Sequence, residues 1–129
     1  MREGLVPGVS ADLRVLVTAE MTARLEGREI HRIYATYWMA YHFEVVARRV
    51  LEAFLEPEEE GIGYRVEVKH LGAVPIDQEV HLRAEFTGFE GSEMLCSVEA
   101  RWKDRLVGVG RQGQRILLRK DLEERLSTL

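Results

Sequence analysis

Two hydrophobic periods divide this chain. Between residues 36 and 55, Met39, Phe43, Val46, Val50 and Phe54 recur at three- and four-residue steps. That spacing marks one face of a helix. Trp38, Ala40, Tyr41 and Val45 put apolar side chains on the other faces of its first half. A helix apolar nearly all round predicts enclosure by other elements. Thr36 is the expected N-cap, because a threonine hydroxyl accepts a backbone N–H from the first turn. Arg48, Arg49 and Glu52 bring the second half to water, and Pro57 within the acidic run 56–60 ends it.

Beyond Gly61 and Gly63 the period becomes two. Tyr64, Val66, Val68 and His70 alternate with polar residues, as do Val80, Leu82, Ala84 and Phe86. Met94, Cys96, Val98, Ala100 and Trp102 form a third such series, with Ser97, Glu99 and Arg101 between them. These patterns predict strands with one wet face. A further strand is expected over residues 105–118, where Gly108, Gly110 and Gly113 suggest a bulge or a close approach. Before the helix, residues 13–21 read as a strand and residues 22–33 as a connection with room for one helical turn. Residues 1–11 are expected to be a loose arm, and residues 119–129 a tail with a short surface helix.

The predicted order is strand, long apolar helix, then four antiparallel strands. This α+β pattern fits a sheet of about five strands wrapped around one central helix, the hot-dog fold. The pattern alone also fits a cystatin-like cone or another one-helix-on-sheet fold.

Composition narrows the function classes. With 129 residues, 46% hydrophobic content and a net charge of −4, the chain is expected to fold as one domain over 1–129. That charge argues against nucleic acid as the partner. The lone Cys96 excludes a disulfide framework and a cysteine-based zinc site, and no other metal-ligand spacing is present. No apolar run has the length of a membrane span. The first ten residues lack the apolar core of an export signal, so a cytoplasmic location is expected.

Chemistry concentrates in few residues. Glu44 is the only formally charged side chain between Ile33 and Ala47. Buried among apolar neighbours, such a carboxylate suits general-base or nucleophilic work. Alternatively it reaches water or pairs with Arg48 at i+4. His70 lies on the strand face expected to be buried, either as a core histidine or as a catalyst. Thr36 is a cap and also a hydroxyl beside the free N–H groups of a helix start, which favour developing negative charge. Eight residues separate Thr36 from Glu44, about 12 Å along an ideal helix. They border one site only if that site is elongated and completed by a second subunit. His31, His42 and His81 are weaker candidates, His42 because it points away from Glu44. Cys96 is expected to be an inert core residue. The run from Gly108 to Gly113 matches GxGxxG only superficially, since no helix directly follows it.

The stretches Tyr34-Ala-Thr-Tyr-Trp-Met-Ala-Tyr-His-Phe-Glu44, Gly61-Ile-Gly-Tyr-Arg-Val-Glu-Val-Lys-His70 and Ala73-Val-Pro75 resemble hot-dog thioesterases related to fluoroacetyl-CoA thioesterase. The resemblance runs from about Ile33 to Arg115. It implies a catalytic set of Thr36, Glu44 and His70, with Gly63 near the substrate. Arg115 takes the place of a substrate-binding arginine if a one-residue shift is allowed. It further implies an acyl-CoA thioesterase, with coenzyme A as part of the substrate and no resident cofactor or metal. The expected assembly is a homodimer or a dimer of dimers, with both chains lining each site. Glu44 would serve as nucleophile or as the base that activates water. The aromatic lid of the fluoroacetyl-selective relative has no counterpart at Gly27 or Ile30, so weak fluoroacetyl selectivity is expected. The rival readings are a hot-dog enoyl-thioester hydratase or dehydratase, and a non-catalytic acyl-CoA-binding module.

Overall fold

The structure is a computed structural model describing residues 1–129. Its elements in chain order are β1 (Ser10–Leu16), a 3-10 turn (Ala19–Met21), β2 (Thr22–Leu25), β3 (Arg28–Tyr34) and α1 (Thr36–Glu52). They continue with β4 (Glu59–His70), β5 (Glu79–Glu90), β6 (Glu93–Trp102), β7 (Arg105–Leu118) and α2 (Arg119–Ser127). Five strands form one antiparallel sheet in the order β1-β5-β6-β7-β4. It curls around α1, which contacts all five strands. This is the hot-dog arrangement the two periods predict.

Packing follows the alternation closely on the inner strands. Val80, Leu82, Ala84 and Phe86 of β5 all point into the core, where they meet Met39, Phe43, Val46 and Val50 of α1. Fully burying a side chain of this size contributes about 1.5–3 kcal/mol. The glycines of β7 have a packing role. A Cβ at Gly108 would collide with Met39, and one at Gly110 with the Glu67 carbonyl. The GxGxxG-like run is therefore where helix and neighbouring strand come closest to β7, and it forms no phosphate loop. Cys96 lies in the core as expected, and burial pushes its thiol pKa up to about 12.

Three local expectations change. Residues 22–33 form a β-hairpin, β2–β3, instead of a connection, and the one helical turn falls earlier, at Ala19–Met21. Glu26 and Gly27 make its two-residue turn with φ of 51° and 77°, the geometry that suits the twist of antiparallel strands. The first strand correspondingly stops at Leu16. Second, β4 begins at Glu59 and is an edge strand with a register shift between Gly63 and Arg65. Tyr64 and Val66 are consequently exposed, although their alternation predicts a buried face. Third, the segment expected as a loose arm is tied down. The Arg2 N–H donates to the Phe54 carbonyl, the Gly8 N–H to the Phe86 carbonyl, and the terminal amine pairs with Glu59. The C-terminal tail does form a surface helix, α2, with no buried residue.

Candidate functional site

The start of α1 and the end of β4 meet at one side-chain pair. Thr36 Oγ1 and His70 Nδ1 lie 2.8 Å apart, joining residues far apart in sequence. Thr36 is the first helical residue and not the N-cap. Ala35 takes that position, with no side-chain cap. The Thr36 hydroxyl is thus spent on the imidazole and not on the helix backbone. The turn after His70 is fixed by Leu71 and Gly72, whose N–H groups donate to the Val107 carbonyl at 2.7 and 3.2 Å. His70 is half-buried, and desolvation lowers its pKa against a smaller opposing effect of the Gly72 backbone. Its Nε2 meets no protein partner. Thr36, His70, Ile33 and Gly72 line one open cleft.

Glu44 lies two turns further along α1 and lines a different cleft. It is exposed on the helix flank beside β4, not buried as its apolar neighbours predicted. An edge strand has no neighbour beyond it, so this flank of α1 is left uncovered. The i+4 pairing with Arg48 does not form. Arg48 is held instead by Glu52 at 3.0 Å, Glu60 at 2.6 Å and the Gly61 carbonyl at 2.9 Å. That guanidinium holds the Glu60 carboxyl below the usual carboxylate range. Gly63 lies against Glu44, since a Cβ there would stand 3.6 Å from its Oε2.

Arg115 lines a third cleft, with Ile62, Gly63 and Tyr64. It is exposed, with its guanidinium 4.0 Å from the centroid of the Tyr64 ring. Successive residues of a strand point to opposite faces, so Gln112 and Gln114 occupy the α1 side of β7. Both line the Glu44 cleft, and Gln114 sits directly across the ladder from Gly63. The one-residue shift thus puts Arg115 on the sheet face away from Glu44. The signal for Gln114 was present in the sequence. Gly108, Gly110, Gln112 and Gln114 share one parity, and the glycines mark it as the helix-facing side.

His42 was also undervalued. It points away from Glu44, as expected, but into the interior, and its Nδ1 lies 2.5 Å from the Tyr34 hydroxyl. The two rings stack, and Tyr34 packs edge-on against His70. Burial pushes the His42 pKa down to about 4 and the Tyr34 pKa well up. His81 bonds Asp12 on the outer surface, and His31 is exposed.

Comparison with known proteins agrees with this architecture. The profile of the fluoroacetyl-CoA-specific thioesterase FlK matches residues 17–120. A hypothetical protein of Thermus thermophilus, described as a thioesterase superfamily member, is 37% identical, with a TM-score of 0.94 over 98% of this chain and 93% of that one. The structure of FlK itself is 22% identical, with a TM-score of 0.87 over 98% of each chain. A hot-dog-like protein of Thermanaerovibrio acidaminovorans is 20% identical, with a TM-score of 0.86 over 95% of this chain and 90% of that one. No curated protein sequence matches the chain. With the helix-wrapped sheet on one side and a family match across most of its length on the other, the chain belongs to the fluoroacetyl-CoA-specific thioesterase family of hot-dog proteins.

Proposed function

We propose that this protein is an acyl-CoA thioesterase that uses Thr36, Glu44 and His70. The observation that carries the reading is the Thr36–His70 contact, which sets an imidazole with an unpartnered Nε2 at a helix start. The free N–H groups of the first turn of α1 suit a developing oxyanion. In the tautomer whose Nδ1–H donates to Thr36 Oγ1, His70 Nε2 keeps its lone pair for a proton. Glu44 supplies a carboxylate with no ion pair to neutralise it. It either takes a proton from the attacking water or adds to the carbonyl itself. In both routes the C–S bond breaks, the sulfur leaves as thiolate and takes up a proton, and water supplies the oxygen of the acid. Coenzyme A enters and leaves as part of the substrate, with no resident cofactor or metal in any step.

Within one chain the two halves of this set line separate clefts. A homodimer joined along β4 unites them. Ile62, Tyr64 and Val66 leave this edge apolar and exposed, and an unpaired edge is a template for a second strand. A two-fold antiparallel pairing centred on Glu67 sets His70 opposite the partner's Tyr64, next to the partner's Gly63, and hence near the partner's Glu44. Light scattering is expected to give a dimer or a dimer of dimers. A stable monomer of 14.8 kDa at micromolar concentration overturns the shared site.

The direct test of function is thiol release from saturated acyl-CoAs of varied chain. Release is expected, with loss in His70→Ala. Hydration of enoyl-CoA without thiol release would make the protein a hydratase. Binding without consumption of any acyl-CoA would make it a binding module.

A further inference from the structure

The Glu44 cleft is polar where an acyl pocket is ordinarily apolar. Gln112 and Gln114 are 1% and 3% exposed, and both line it. Each keeps one buried amide atom without a partner in the chain, Oε1 of Gln112 and Nε2 of Gln114. Such atoms are rare, because a buried polar group left unpaired costs about 1–3 kcal/mol. The Gln114 amide is oriented by Arg48, whose Nη1 donates to its Oε1 at 3.4 Å. Its N–H is therefore the end left free. One donor and one acceptor thus lie on the helix-facing side of β7, two residues apart, the donor directly across the ladder from the glycine that faces Glu44.

We propose that this pair selects an acyl chain bearing a hydroxyl group close to the thioester carbonyl. A hydroxyl answers both atoms at once. Its oxygen accepts from Gln114 Nε2–H, and its O–H donates to Gln112 Oε1. A purely aliphatic chain leaves both unpaired. A carboxylated chain fits worse. Arg48 is already matched by Glu52 and Glu60, so no free cation remains, and Glu44 repels a second negative charge. The cleft, open and about 270 Å³, suits a short chain. This inference rests on the thioesterase reading and adds the substrate class to it.

The test compares 3-hydroxybutyryl-CoA, both enantiomers, with butyryl-CoA and succinyl-CoA. The first two differ only in the hydroxyl. Sites built to hydrogen-bond a substrate hydroxyl reject the analogue without it by factors of up to 10⁴–10⁵. In this open cleft the expected preference in kcat/KM is at least about tenfold for one enantiomer. In Gln112→Leu and Gln114→Leu the ratio of kcat/KM between the two substrates should fall toward unity. Equal or better use of butyryl-CoA by the unaltered protein overturns the proposal, whatever the variants do. So does a preference that survives both substitutions. If no acyl-CoA of any kind releases thiol, the thioesterase reading fails on its own. Calorimetric binding of the same pair then still decides the hydroxyl preference, tighter binding of the hydroxyacyl ligand supporting it and equal binding ending it.

Discussion

Phe43 and Glu44 are adjacent on α1, about 100° apart around its axis. Phe43 is fully buried against the sheet, while Glu44 stands on the flank that no strand covers. The inner face of the helix is finished within one chain, with Met39, Phe43, Val46 and Val50 in continuous contact with the core. The flank is unfinished. Tyr37, Tyr41 and Glu44 are exposed there, and beside them lie two buried amides with unpaired atoms. The difference separates what holds the fold from what is left available for the proposed chemistry. A packed face tolerates no empty space, whereas a reacting face needs groups still free to bind something.

Exchanging these neighbours one at a time breaks the comparison most directly. Glu44→Gln keeps the shape of the side chain and removes its charge. It should leave the thermal transition in place and lower kcat about 10²–10⁴-fold, the usual loss with a general base, and further if Glu44 is the nucleophile. Near-normal thiol release by the folded variant would remove Glu44 from the mechanism. Phe43→Ala should do the reverse. Emptying this site should cost about 3–5 kcal/mol of stability, read as a lowered urea midpoint, while the fraction still folded turns over substrate. A Phe43→Ala protein as stable as the parent would mean that the inner face is not packed as described.

The same division explains what the sequence revealed. The inner strand β5 was legible because each of Val80, Leu82, Ala84 and Phe86 faces the core, so selection for packing writes a period of two. The β2–β3 hairpin was not. Arg24, Glu29, His31 and Arg32 leave it polar on both faces, and its ladder shifts register twice. Edge position and a bulge undid the reading of β4: the register shift at Tyr64 breaks the alternation and stacks its ring on Arg115, and Val66 has no strand beyond it. Of the proposed site residues Thr36, Glu44 and His70, picked out by family spacing, only Thr36 and His70 meet within one chain. Their division between two clefts follows from curvature that no local pattern encodes. His42 was missed because its partner, Tyr34, lies just outside the helix, and only the folded turn at Ala35 brings the two together.

That buried Tyr34–His42 pair gives a sharper, smaller test of the inner face. A histidine with its pKa lowered from 6.5 to about 4 binds fewer protons folded than unfolded across that interval. Stability must then fall as pH drops through the window, by about 2 kcal/mol between pH 7 and pH 5. His70, also lowered, adds to the same sign. The depressed carboxyls of Glu59, Glu60 and Glu67 act at lower pH, below their ordinary range. Urea midpoints at pH 7 and pH 5 should therefore differ for the parent. The difference should shrink to the part His70 supplies in Tyr34→Phe/His42→Leu, which removes both polar partners together. An equal pH 7 to pH 5 difference in that double variant would exclude His42 as its source.

The smallest effect is expected at the entrance to the Thr36 cleft. Selectivity between fluoroacetyl-CoA and acetyl-CoA requires a closely fitted, dry pocket, because small steric differences alone give factors of about 10–200. An aromatic lid would help to make such a pocket, and here the corresponding region is the β2–β3 hairpin. Gly27 sits in its turn without a side chain, and Ile30 is exposed and not aromatic. Two tyrosines lie nearby, but neither is free to close. Tyr34 is fully buried with its hydroxyl on His42. Tyr37 donates its hydroxyl to the Thr22 carbonyl at 3.2 Å and receives the Arg24 N–H at 3.3 Å, which ties its ring to β2. The approach to Thr36 therefore stays open to water. The kcat/KM ratio of the two substrates, measured at one pH, should lie near unity and well under about a hundredfold. A larger preference for fluoroacetyl-CoA that disappears in Tyr37→Ala would show that this tyrosine closes the cleft after releasing β2. The flank of α1 would then be a moving wall, and the contrast with its fixed inner face would be one of mobility as well as of packing.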